Sequence, residues 1–238
     1  MTDPDSAAVI AGAGDPASTP IRVLLADDYE PLRTALRFVL DAADDILIVG
    51  EAADGHSAVT NARALRPDVV LMDVQMPRVD GIDATREIVR EELAEVLVLT
   101  TFDLDEYVFG ALRAGAAGFL LKTAEPGDIL SAVRRVAAGD GVVAPEVTRR
   151  VLATFVSPPD PSGEPDPAVS ALDRLTDLTP RERDVLVALS QGQSNQQIAD
   201  GLFITEATAK THVSRILAKL GCASRVQAAI LARQAGLV

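Results

Sequence analysis

Tryptophan is absent from the chain, cysteine occurs once, and aromatic side chains make up 3% of its 238 residues. The single thiol, Cys222, excludes an intrachain disulfide, and no clustering of zinc-ligand residues accompanies it. That pattern suits a reduced, intracellular setting. Aliphatic side chains must fill any core, and at 48% apolar content there are enough for two modest domains, the division that this length favours. No run approaches the roughly 18 apolar residues that a membrane span needs. The first twenty residues lack the basic n-region and long apolar core of a secretion signal, so a cytoplasmic protein is expected. Positive charge is also scarce, with a net charge of −13. That total argues against nucleic acid only until the chain is divided. Residues 1–173 hold 14 Lys+Arg against 30 Asp+Glu, whereas residues 174–238 hold 8 against 5. An acidic part is thus joined to a mildly basic one.

What is present is a regular alternation. Residues 1–19 are rich in Ala, Gly, Asp and Pro without periodicity and read as a disordered leader. Apolar runs at Ile21–Ala26, Ile46–Gly50, Asp68–Met72, Val96–Thr100 and Gly118–Leu121 read as buried strands, with helical stretches near 30–40, 55–66, 81–92, 104–114 and 125–139. Five strands, each followed by a helix, imply an α/β fold with a doubly wound parallel sheet. Residues 145–156 can form one more helix, and SPPDPSGEPDPAVS after it reads as a semi-rigid linker. The expected organisation is a leader over 1–19, an α/β domain over 20–140, a linker helix and linker over 141–174, and a helical domain over 175–238.

Three aspartates stand just past two of the strands: Asp27 and Asp28 after IRVLLA, and Asp73 after DVVLM. In the strand order 2-1-3-4-5 the first and third strands flank the switch point, where open α/β sheets bind ligands at their carboxyl edge. Three carboxylates gathered there repel one another unless a cation joins them, which points to a divalent metal. Mg2+ takes oxygen ligands, and two or three carboxylates plus a carbonyl suffice, with water filling the remaining positions. Strand 4 ends at Thr100 and Lys122 follows strand 5, bringing a hydroxyl and an ammonium to the same edge. The set suits phosphoryl transfer to a carboxylate: Asp73 attacks phosphorus while the metal and Lys122 neutralise phosphate oxygens, and Thr100 hydrogen-bonds the new group.

The segments LLADD, LMDVQMPRVDG, LTTFD and GFLLK, in that order and spacing, make residues 21–139 similar to the receiver domain of bacterial two-component response regulators. The resemblance implies a flavodoxin-like receiver in which Asp73 is the phosphoacceptor. It further implies Mg2+ held by Asp28, Asp73 and the Gln75 backbone carbonyl with support from Asp27, Thr100 as the switch hydroxyl, Lys122 as the phosphate-binding lysine, and Phe119 as the aromatic that swings inward on activation. Many receivers have Pro after the lysine; here Thr123 follows, where a cis bond costs about 2.5–4 kcal/mol. Gln75 and Phe102 are expected near the pocket mouth, and an apolar Phe102 suggests a slowly hydrolysed phosphoryl group. A Mg2+-dependent phosphohydrolase would share an aspartyl-phosphate, but Gln75 stands where its general acid belongs, two residues after the nucleophile, and no substrate-cap insertion is evident. A regulator with a vestigial pocket is disfavoured by the intact set of five residues.

The C-terminal part carries its own helix signals. Thr179-Pro180-Arg181-Glu182 and Ser194-Asn195-Gln196-Gln197 read as capping boxes, the first with Pro at the first helical position. Thr205 reads as the N-cap of a helix reaching Leu220, and a fourth helix follows near Ser224–Gln234. Two short helices joined by a three- or four-residue turn are a helix-turn-helix signature. Val213, Ile216, Leu217 and Leu220 form the buried stripe of the third helix, leaving Thr208, Thr211, Ser214 and Arg215 away from it with Lys210 at its flank. A polar, partly basic face near a helix N-terminus suits the major groove.

LTPRERDVL, GQSNQQIADGLFITEATAKTHVSRILAKLG and SRVQAA make residues 177–238 similar to the LuxR-type helix-turn-helix of the NarL/FixJ family. By that resemblance Lys210 and Thr211 lie where DNA contacts are most frequent. Asn195, Gln196, Thr205 and Lys219 are candidate phosphate contacts, and His212 is a packing or backbone contact without a metal role. The partners implied are a sensor histidine kinase, double-stranded promoter DNA, a second copy of the chain in the active state, and RNA polymerase as a further candidate. No membrane partner is implied.

Overall fold

The computed structural model describes residues 19–100, 110–143 and 174–237. The expected helix at 145–156, the Pro-rich linker, Phe102 and residues 104–109 lie outside them, as does the leader up to residue 18. The first domain runs β1 (Ile21–Ala26), α1 (Glu30–Asp41), β2 (Ile46–Ala52), α2 (Gly55–Leu65), β3 (Val69–Asp73), α3 (Gly81–Arg90), β4 (Glu95–Thr100), β5 (Gly118–Leu121), α4 (Pro126–Ala137) and β6 (Val142–Val143). Residues 110–113 are also helical.

All strands are parallel, and the sheet order is β2-β1-β3-β4-β5-β6. The expected order 2-1-3-4-5 is present. The two-residue β6, in a stretch read from sequence as the start of the linker, extends the sheet beyond β5. A parallel sheet is covered on both faces, so its strands read as unbroken apolar runs. Alternate residues feed two cores. Leu24, Val70, Met72, Val98 and Phe119 pack with Ala58, Ala62, Ala84 and Ile88 of α2 and α3. Val23, Leu25, Leu71, Leu97 and Leu99 pack with Leu36 and Leu40 of α1 and Ile129 and Val133 of α4.

The second domain is helical: α5 (Pro180–Ser190), α6 (Asn195–Leu202), α7 (Glu206–Leu220) and α8 (Arg225–Gln234), preceded by a 3-10 turn at Arg174–Asp177. Both capping boxes form, at Thr179/Glu182 and Ser194/Gln197. The turn between α6 and α7 begins at Phe203, which closes α6 in the left-handed region (φ 55°), and Thr205 caps α7 by accepting from Thr208 N. Ala209, Val213, Ile216 and Leu220 of α7 share a core with Leu186, Ile198 and Leu231. No described helix is long and apolar enough to cross a membrane.

Candidate functional site

Strand register builds the acidic site. Ala26 pairs with Met72 in the β1–β3 ladder, so the next residues, Asp27 and Asp73, leave the sheet side by side. Asp73 pairs with Leu99, one residue before Thr100, and Thr100 pairs with Leu121, one residue before Lys122, whose amide donates to the Thr100 carbonyl at 2.9 Å. Five sequence-predicted residues are thereby brought to one edge. Asp27 and Asp73 are 1% and 3% exposed, Thr100 is buried, and Asp28 opens to solvent.

Oxygens of Asp27, Asp28 and Asp73 lie within 4.8 Å of one another. Lys122 Nζ sits 2.9 Å from Asp27 Oδ2 and 2.8 Å from Asp73 Oδ2. The remaining oxygens are also engaged: Asp27 Oδ1 accepts from Tyr29 N at 2.8 Å, and Asp73 Oδ1 from Gln75 N at 3.3 Å. Burial raises the Asp73 carboxyl above its ordinary range, against the pull of Lys122 and with a further push from Asp27. Burial alone would lower Lys122, but its bonds to Asp73 and Asp27 outweigh that and raise it. The donor set is entirely oxygen, concentrated in charge and open to water on the Asp28 side, which fits Mg2+ and excludes a soft-metal preference.

The loop after β3 is pinned tightly. Gly81 begins α3 so close to the strand end that a Cβ there would lie 1.9 Å from the Asp73 carbonyl oxygen. Gly81 N donates to Val74 O at 2.9 Å and Gly55 N to Val79 O at 3.1 Å. Arg78, in the left-handed region (φ 69°), pairs with the buried Asp54 carboxylate that caps α2. The Ser57 amide, then Arg78 and the Ser57 hydroxyl, hold that carboxyl down to about 2 despite its burial. Sequence reasoning missed this clasp, because Arg78 stands among turn residues with no periodic signal.

Phe119 is fully buried, its backbone paired with Val98 of β4 and Val143 of β6, so the inward swing expected of it has no outward position to start from in this structure. The Lys122–Thr123 bond is trans, since no cis bond occurs among the described residues.

The helical domain places its predicted contacts unevenly. Thr205, Lys210, Thr211, Ser214 and Arg215 are exposed. Lys210 pairs with Glu206 at 3.0 Å across one helical turn, Thr211 Oγ1 donates to Ala207 O, and Gln196 Nε2 donates to Asp200. Lys219 is turned inward onto Glu182 (2.6 Å) and the Asp177 carbonyl. Asn195 is only 2% exposed.

Asn195 is buried because the first domain covers it. Asp140 Oδ1 accepts from Asn195 N at 2.9 Å and from Arg225 Nη1 at 2.8 Å. Ala223 and Val226 approach the first domain where Gly115 and Gly141 leave room, and Val226 joins the core cluster of Leu112 and Ala116. A cavity of about 340 Å³ remains between the domains, lined on one side by Lys210, Ser214 and Arg225 and on the other by Ala138 and Asp140. Arg225 stands in the first turn of α8, where a cation opposes the helix dipole and the Asp140 carboxylate offsets it.

Residues 23–134 match the response regulator receiver domain family, and residues 176–232 match the bacterial regulatory proteins of the luxR family. The transcriptional regulatory protein LiaR of Bacillus subtilis (strain 168) is 41% identical over 219 residues, 92% of this chain and 99% of LiaR. The chain belongs to the NarL/FixJ-type response regulators. The response regulator protein VraR of Staphylococcus aureus (strain COL) is 38% identical over 92% of this chain and 99% of its own. Among solved structures, response regulator ChrA of a heme-sensing two-component system is 40% identical, with a TM-score of 0.51 over 92% of this chain and 99% of ChrA. This response regulator therefore joins a receiver to a LuxR-type DNA-binding domain in a transcription regulator.

Proposed function

We propose that this response regulator accepts a phosphoryl group on Asp73 from a sensor histidine kinase in a Mg2+-dependent reaction, and that the modification switches sequence-specific DNA binding. The observation that carries the reading is the Lys122 ammonium bridging Asp27 and Asp73 beside the exposed Asp28. An Asp73 carboxylate oxygen forms the new O–P bond as the donor N–P bond breaks and its electron pair returns to the imidazole. Lys122 neutralises the phosphoryl oxygens, so catalysis is positioning and electrostatics. Asp27, Asp28, Asp73 and the Gln75 carbonyl would hold Mg2+, which would supply further neutralisation of the transferring charge. Thr100 hydrogen-bonds the phosphoryl group.

The domain arrangement supports a closed resting state. Lys210 and Ser214 line the cavity facing the receiver, so the helix that reads DNA is not free to enter a groove about 12 Å wide. Phosphorylation biases the receiver toward parting from the effector, which then binds promoter DNA as a homodimer and presents a surface to RNA polymerase. Action between a kinase and a promoter fits a cytoplasmic protein. Incubation with a small phosphodonor and Mg2+ tests the chemistry: wild type gains one phosphoryl group by intact mass and Asp73→Asn gains none. Equal incorporation by both would overturn the assignment.

A further inference from the structure

Asp140 Oδ1 collects two donors from the effector domain that the effector leaves pointing outward. Asn195 N is the first amide of α6, and the Ser194/Gln197 capping box satisfies its neighbours Ser194 N and Gln197 N instead. Among the described residues it donates to Asp140 Oδ1, at 2.9 Å. The Arg225 guanidinium, 8% exposed, is held by its own domain through Gln193 O at 2.7 Å and Asn195 Oδ1 at 3.4 Å, and from the receiver it bonds Gly139 O at 2.9 Å and Asp140 Oδ1 at 2.8 Å. An aimed guanidinium and a helix-terminal amide converging on one oxygen form an anion site, and here that oxygen is a carboxylate's.

We infer that the Asn195 amide and the Arg225 guanidinium bind a DNA backbone phosphate, and that Asp140 holds the closed state by standing in for that phosphate. The inference rests on the DNA-binding reading of the domain. The location supports it: Asn195 and Arg225 border the same cavity as Lys210 and Ser214 of α7, so the anion site flanks the helix expected in the groove. Helix N-termini and arginines are usual phosphate donors beside a recognition helix. Charge supports it too. A carboxylate and a phosphodiester each carry one negative charge and accept both donors, so exchanging one for the other leaves the buried guanidinium compensated throughout. Opening without DNA would replace that partner by water alone. Receiver and duplex thus compete for the same two N–H groups, in addition to any steric overlap.

The test uses the full-length, unphosphorylated protein and a 30-base-pair duplex of arbitrary sequence at low salt, since a phosphate contact is sequence-independent (about one phosphate per 1.7 Å of duplex). Asp140→Asn and Asp140→Ser are both expected to bind it more tightly than wild type. Adding Arg225→Ala to either variant should lower affinity about tenfold and flatten the salt dependence by about one unit of slope. A latch that acts only by bulk predicts the opposite for the double variant, with affinity as high as in the single one, and that result would overturn the inference. The Asn195 amide shift on titration with inorganic phosphate separates the site from the domain's function. Saturable movement in Asp140→Asn that is lost with Arg225→Ala supports the anion site even if no duplex binds, in which case the DNA-binding reading fails instead. An unmoved Asn195 amide overturns the site itself.

Discussion

Lys122 Nζ lies 2.8 Å from Asp73 Oδ2, so the proposed acceptor and the cation that would receive its phosphoryl oxygens are already in contact. The same ammonium neutralises Asp27. Lys122→Met keeps an unbranched side chain one atom shorter and deletes its charge, leaving two buried carboxylates facing each other. Breaking a fully buried pair costs about 3–5 kcal/mol; with the lysine partly solvated, a loss of about 2 kcal/mol is expected in the absence of metal. Saturating Mg2+ should stabilise the variant more than the wild type, because the ion replaces the missing charge. Urea unfolding with EDTA and with Mg2+ measures both terms.

Gly81 is the tightest steric requirement at the site, its missing Cβ lying 1.9 Å from the Asp73 carbonyl oxygen. Gly81→Ala must push α3 away from the end of β3. The expected result is about 1–3 kcal/mol of destabilisation, with phosphoryl incorporation on Asp73 falling further than the folded fraction does. Incorporation that simply tracks the folded fraction would show that the loop does not position the acceptor.

The Glu182 carboxyl is held at about 2, chiefly by Lys219 and then by the Thr179 amide, against an ordinary value of 4.5. A carboxyl lowered on folding contributes stability that is complete above 4.5 and is lost as pH falls toward 2. Acid unfolding of the helical domain, followed by circular dichroism, should therefore steepen across that window. Glu182→Gln should flatten the slope there while also weakening the cap of α5.

Four of the eight cations in residues 174–238 serve the fold of the DNA-binding domain itself. Arg181 binds the Leu202 carbonyl, Arg183 that of Leu175, Arg233 that of Ser190, and Lys219 binds Glu182. Arg215 and Lys210 remain on the recognition face. With about two cations per protomer, the log–log salt slope of binding should be shallow, about −2 per protomer, increasing by about one if Arg225 is released. Arg215→Ala should reduce it by about one per protomer. A slope near −10 for a dimer would show that other cations dominate.

The sheet was legible because a parallel strand buried on both faces is a continuous apolar run, and the acidic edge was legible because those runs stop at Asp27, Asp73, Thr100 and Lys122. Capping boxes at Thr179 and Ser194 carry their own local chemistry and were equally readable. The domain contact was not. Asp140 sits in a Gly-Asp-Gly turn and looks solvated, and Arg225 in a first helical turn carries no periodic signal of a partner. Asn195, a candidate phosphate contact by sequence, has its amide occupied by Asp140 in this structure, and nothing in the sequence foretells that pairing. β6, two residues long, lies below the length at which alternation can be seen.

The most direct test of the switch is the dissociation constant for a duplex selected by the phosphorylated protein, measured with and without beryllofluoride and Mg2+ for wild type and Asp73→Asn. Tighter binding by wild type with beryllofluoride, and no change for Asp73→Asn, is the expected result. Equal affinity of wild type in both conditions would contradict control of DNA binding through Asp73.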